Sequence, residues 1–88
     1  MHLQDTERAD LVRRLHRVEG QVRGIARMIE DGRECREVAT QFAAATQALR
    51  RAGYQFVSQS LAHCLADPAA AEQEGYTPDE LERLFLRL

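Results

Sequence analysis

The sequence predicts an all-α protein of three helices per chain, two long and one short at the C-terminus, and three observations carry that prediction. The apolar residues Leu11, Leu15, Val18, Val22, Ile25 and Ile29 step by four, three, four, three and four, the seam spacing of a long helix packed against another. Two stop signals, Asp31-Gly32 and Asp67-Pro68, cut the chain into segments of helical length, because glycine suits the position after a helix cap and the residue before proline avoids the α region. No segment alternates apolar and polar residues as a half-buried strand does.

The first helix is expected over residues 6–31. Asp5 or Thr6 can cap it, and Glu7 and Asp10 stand in its first turn, where the dipole favours negative charge. Gly20 and Gly24 lie inside it on one face, each at a cost of about 1 kcal/mol relative to alanine. Such a small-residue face suits close approach of another helix or of a phosphate backbone.

The second helix is expected over residues 34–66. It carries the only two cysteines, Cys35 and Cys64, at its two ends. Twenty-nine residues at 1.5 Å and 100° each put the thiols roughly 43 Å apart but on nearly one face. That is far beyond disulfide reach within a chain. Two copies packed antiparallel across a two-fold axis would bring Cys35 of one chain to Cys64 of the other, twice. In that register partner numbers sum to 99, so Val38 meets Leu61, Phe42 meets Val57 and Thr46 meets Gly53, a mostly apolar seam of an antiparallel four-helix-bundle dimer.

Asp67 to Tyr76 reads as a connector, and Thr77-Pro78-Asp79-Glu80 as a capping box with proline at the first helical position. A third helix follows over residues 78–87, with Leu81, Leu84, Phe85 and Leu88 on one side. It is too short to stand alone and must dock on the long helices.

Eighty-eight residues make a single domain over 1–88, small enough that an elongated chain gains from oligomerisation. The segment from Met1 to Asp5 lacks the basic-then-apolar pattern of an export signal, and no apolar run reaches membrane-spanning length. A cytoplasmic protein without a membrane partner is the expectation, and there paired cysteines are redox-active or metal-binding rather than structural.

The net charge of −2 argues against nucleic acid, but its distribution does not. Residues 1–51 hold ten arginines against eight acids, residues 52–88 two against six, and there is no lysine. Arg13, Arg14 and Arg17 cluster on the first helix and Arg50 and Arg51 on the second. Arginine forks suit phosphate, although solvated faces produce such clusters too, and Glu7, Asp10 and Glu19 are near enough to pair with some of them.

Cys35 sits in the first turn of its helix, where the dipole favours a thiolate, with Arg33 and Arg36 helping and Glu34 and Glu37 opposing; Cys64 sits in the last turn, where the dipole disfavours one. Antiparallel pairing would set an attacking thiol beside a resolving one. His63 points about 100° away from Cys64 around the helix, and His2 and His16 have no partner in the sequence. No nucleophile with a base at motif spacing and no phosphate loop is visible, so an enzyme is not expected.

The run Arg14-Leu15-His16-Arg17-Val18-Glu19-Gly20-Gln21-Val22-Arg23-Gly24-Ile25, with Met28-Ile29-Glu30, Cys35, Thr40-Gln41 and Leu61-Ala62-His63-Cys64, resembles the CsoR/RcnR family of bacterial repressors over roughly residues 8–65. The resemblance implies a helical dimer assembling to a homotetramer, operator DNA held without a helix-turn-helix, and release when an inducer reaches an intersubunit site. It also implies a DNA-facing role for Arg14 and Arg51, and so for the clusters around them. Copper sensors of the family carry a histidine four residues before the second cysteine, where this chain has Ser60. Two cysteines without that histidine resemble the CstR-like persulfide-sensing branch. The expectation is therefore a repressor switched by reactive sulfur species at Cys35 and Cys64 of the partner subunit, with no metal or cofactor. The alternatives are a repressor binding Cu(I) through those two thiolates, and a helical interaction module that does not bind DNA.

Overall fold

The computed structural model describes residues 3–88; His2 lies outside the described residues. Four helices follow in order, α1 (Asp5–Glu30), α2 (Cys35–Ala66), α3 (Pro68–Gln73) and α4 (Pro78–Leu86), with no strand among the described residues. The protein is all-α.

Gln4, rather than Asp5 or Thr6, caps α1. Its backbone is extended, and its N–H donates to the Glu7 carboxylate at 2.8 Å, the reach-back that a glutamate three residues after the cap provides. The C-terminal end turns at Gly32, whose φ of 67° suits glycine and whose N–H donates to the Ile29 carbonyl at 3.1 Å. Helix α2 stops at Asp67, which leaves the helical region ahead of Pro68. The stretch expected as a plain connector contains α3, because the proline that ends one helix is well placed as the first residue of the next. The Asp67 carboxylate accepts the Ala70 N–H at 3.2 Å and secures that turn. At α4 the Thr77 hydroxyl accepts the Glu80 N–H at 3.3 Å, as the capping box predicts.

Helices α1 and α2 form an antiparallel hairpin, and the chain is elongated, 53 Å in its longest dimension. Leu11, Val18 and Ile25 are buried in it with Ala45 and Ala52, every second member of the predicted seam. The alternate members Leu15, Val22 and Ile29 stay exposed, as do Val12, Phe42 and Leu49. One chain therefore covers one side of its seam and leaves a continuous apolar strip on the other. Gly20 and Gly24 meet no helix within the chain: a Cβ at Gly24 would touch nothing within 4 Å, and one at Gly20 only the end of Arg23.

The C-terminal half of α2 is roofed by α4. Leu81 packs on Cys64 with Leu61 and Tyr76 beside them, Phe85 meets Tyr54 with ring centroids 5.1 Å apart, and Leu88 lies across Gly53. The Leu88 methyl carbon would stand 3.2 Å from a Cβ at Gly53, so glycine is what lets α4 close down there. Gly53, assigned by the antiparallel register to Thr46 of a second chain, is thus already in contact with its own C-terminus.

Candidate sensing site and arginine face

Cys35 and Cys64 are both free thiols, one exposed and one buried. Cys35 is the first residue of α2. Arg33, expected beside the thiol, instead forms a double contact with Glu37, at 2.8 and 2.9 Å. The next turn, around Thr40 and Phe42, is exposed.

Cys64 is 1% exposed, enclosed by Leu81, Leu61 and Tyr76. Burial, and then the neighbouring Glu74 carboxylate, push the Tyr76 phenol above its ordinary value. Ser60, one turn before Cys64, is wholly buried, and its hydroxyl donates to the Phe56 carbonyl at 2.7 Å. This position is an occupied helix-internal hydroxyl with no proton donor to spare.

His63 faces away from the thiol and toward α1. Its Nε2 donates to the Glu7 carboxylate at 2.9 Å, and that bond, followed by the Gln4 N–H, holds the Glu7 carboxyl below its usual value. Asp10, one turn on, accepts the Gln55 side-chain amide at 2.9 Å, Arg13 at 3.0 Å and Arg14 at 3.3 Å. These bonds, Gln55 foremost, likewise depress the Asp10 carboxyl. His16 lies 3.8 Å from Glu19 on the surface.

All five predicted DNA-contacting arginines are exposed, and among them Arg13 and Arg14 are held by Asp10. The structure brings Arg13 and Arg14 together and leaves Cys35 and Cys64 at opposite ends of α2. The residues that sequence reasoning missed are Glu7 and Gln55 as cross-helix partners. Glu7 was read as a first-turn acid and as a neighbour of the α1 arginines, and a cross-helix pair has no local spacing by which to recognise it.

The family model described as metal-sensitive transcriptional repressor matches residues 7–87. The chain belongs to that family. It is 45% identical over 64 residues to the copper-sensing transcriptional repressor RicR of Mycobacterium tuberculosis, covering 73% of this chain and 67% of RicR. It is 35% identical over 66 residues to the copper-sensing transcriptional repressor CsoR of Bacillus subtilis, covering 75% of this chain and 65% of that one. The matched segment thus spans about two thirds of each relative's length. A solved structure of the copper-sensing repressor CsoR with Cu(I), from Geobacillus thermodenitrificans, superposes with a TM-score of 0.74 at 36% identity, covering 96% of this chain and 84% of that one.

Family membership makes this chain a metal-sensitive repressor of the CsoR type and not an enzyme. It also overturns the expectation of a protein without metal: the relatives sense copper, and the matching structure holds Cu(I). Ser60 in place of a third ligand had favoured a metal-free switch over the Cu(I) alternative, yet Cu(I) is satisfied by soft sulfur at low coordination number. Within one chain, no group of three histidine, cysteine or acidic side chains among the described residues could hold a metal ion. The donors that fit Cu(I) are the two thiols, and they can meet only between chains. No helix among the described residues is long and apolar enough to cross a membrane.

Proposed function

We propose that this chain is a Cu(I)-responsive repressor whose sensing site joins Cys35 to Cys64 of the partner subunit. The observation that carries the proposal is the pairing of two free thiols at opposite ends of α2 with an uncovered apolar strip along the hairpin. That strip exceeds the scattered apolar residues normal on a monomer surface, and a second copy laid antiparallel would cover it. Bound Cu(I) would supply a soft centre that draws two thiolates together. The chain's own residues do the rest: Leu81 and Tyr76 keep water from Cys64, and Cys35 at a helix start offers an exposed thiol.

Dimers pairing to tetramers would repeat the arginines of each chain over one face, with Arg13, Arg14, Arg17, Arg50 and Arg51 gripping operator phosphates in the cytoplasm. The acidic C-terminal segments would lie elsewhere. Anaerobic titration with Cu(I), followed by operator binding, tests the reading: release at one Cu(I) per thiol pair is expected, and the Cys35→Ala and Cys64→Ala proteins should stay on DNA. Release unchanged in both variants would overturn it.

A second inducer class is favoured by one observation. Ser60 is buried and bonded to its own helix, which leaves a bare dithiol at the position where the copper sensors have a third ligand. Reactive sulfur species would then link the same two thiols. Polysulfide treatment should give a dimer-sized band on a non-reducing gel, lost in either cysteine variant, and an intrachain link would rule this class out.

A further inference from the structure

We propose that Glu7 is a positioning residue that passes the state of the Cys64 thiol to the operator-contacting arginines, acting through His63. The inference rests on the repressor reading above and assigns the route by which that site reaches the DNA face.

Among the described residues, two side-chain hydrogen bonds join α1 to α2, His63 to Glu7 and Gln55 to Asp10, both at 2.9 Å. The first begins at the residue next to Cys64. Its two side chains are only 30% and 27% exposed, so the pair is partly shielded from solvent screening. The Glu7 Oε1 that accepts His63 also accepts the Gln4 N–H at 2.8 Å, so the tie fastens the opening turn of α1. One turn later the Asp10 carboxylate is shared between Gln55 of α2 and the arginines Arg13 and Arg14. The last turns of α2 are thereby pinned to the segment that presents those arginines.

Cys64 is closed off from solvent: it is 1% exposed, Leu81 above it 2%, and Ser60 fully buried. A close-packed site of this kind cannot take a new bond at sulfur without shifting an element. His63 rides on the same helical turn as Cys64, and a shift of that turn pulls on Glu7. The consequence is a change in the angle at which α1 offers Arg13 and Arg14, a small displacement amplified by rigid helices.

The test uses the full chain and an operator duplex selected by the wild-type protein from a random library. Anisotropy at fixed salt gives operator affinity with and without Cu(I), and chelator competition gives Cu(I) affinity. His63→Ala and Glu7→Ala should keep both the Cu(I) affinity and the metal-free operator affinity within about threefold, yet lose about tenfold of the Cu(I)-induced weakening, within the usual range of coupling between sites. The double variant should lose no more than either single one. His63→Gln, whose amide can still donate to Glu7, should recover most of the response.

A full wild-type response in Glu7→Ala overturns the proposal. So does weaker Cu(I) binding in His63→Ala, which would make the histidine a ligand, or a loss of metal-free operator binding as large as the loss of response, which would make Glu7 structural. If the wild-type protein does not release DNA with Cu(I), the repressor reading fails by itself. Amide hydrogen exchange then decides Glu7: faster exchange over residues 5–14 on Cu(I) loading, absent in His63→Ala, supports the tie, and unchanged exchange overturns it.

Discussion

The two ends of α2 carry the same side chain in opposite settings. At the C-terminal end the chain has finished the job itself: α4 roofs Cys64, α1 is tied on through His63, and Ser60 is closed off. At the N-terminal end Cys35 is exposed, Arg33 is turned aside to Glu37, and Phe42, two turns on, is 52% exposed. The difference teaches that one chain encloses one of its thiols and leaves the other open. The enclosed thiol has its surroundings set by its own chain, whereas in the proposed dimer the open one would be covered only by a second copy.

The largest expected effect comes from removing either half. Cys35→Ala and Cys64→Ala should each abolish the inducer response while leaving metal-free operator binding intact, read by anisotropy with and without Cu(I). Equal loss from two thiols so differently buried would confirm that they act as a pair, and loss from only one would break the comparison.

Next in size is the roof. Leu81→Ala should cost about 2–5 kcal/mol, as for other buried leucines, measured by denaturant unfolding. It should also speed alkylation of Cys64 toward the rate of Cys35, whereas in the wild type Cys35 is expected to react first. Equal labelling rates in the native wild-type protein would mean that α4 does not protect its thiol.

A smaller effect is expected on the proposed operator-contacting arginines. Arg51→Ala should weaken operator binding similarly across sequences and lower the salt dependence by about one unit of slope, as for a phosphate contact. The same experiment on Arg14, held by Asp10, should show the smaller change if that ion pair already competes with phosphate.

The smallest is a pH effect at the clasp. Bonds from Gln55, Arg13 and Arg14 depress the Asp10 carboxyl in the folded chain, so its stabilisation is fully present above the unfolded carboxylate value and is lost as pH falls through the folded one. Thermal midpoints should therefore fall below the ordinary carboxylate range, by a little because the side chain is 39% exposed. Asp10→Asn should flatten that dependence slightly, and a profile identical to wild type would remove Asp10 from the clasp.

Much of this was legible before any coordinates. The seam spacing, the stop at Gly32, the capping box at Thr77 and the break at Pro68 depend on neighbours within one turn, where chain chemistry is local. The thiol spacing was legible for the same reason, since helical rise and rotation convert residue number directly into distance and face. What misled was subtler: the seam read as one stripe is shared, with Leu11, Val18 and Ile25 turned inward and Leu15, Val22 and Ile29 outward, and Gly53 serves Leu88 of its own chain. Glu7 and Gln55 gave no sign of their partners, which lie 56 and 45 residues from them.

The sequence by itself determined that the chain is helical, that its cysteines stand too far apart to meet within it, and that a resemblance to metal-responsive repressors runs through its central segment. Only the tertiary structure decided which thiol is enclosed, which apolar residues remain for a second copy, and how His63 is tied to the arginine-bearing helix. The physical reason is range. Periodicity and capping are set by contacts a few residues apart, whereas enclosure and cross-helix ties arise from side chains that only folding brings within 3 Å of one another.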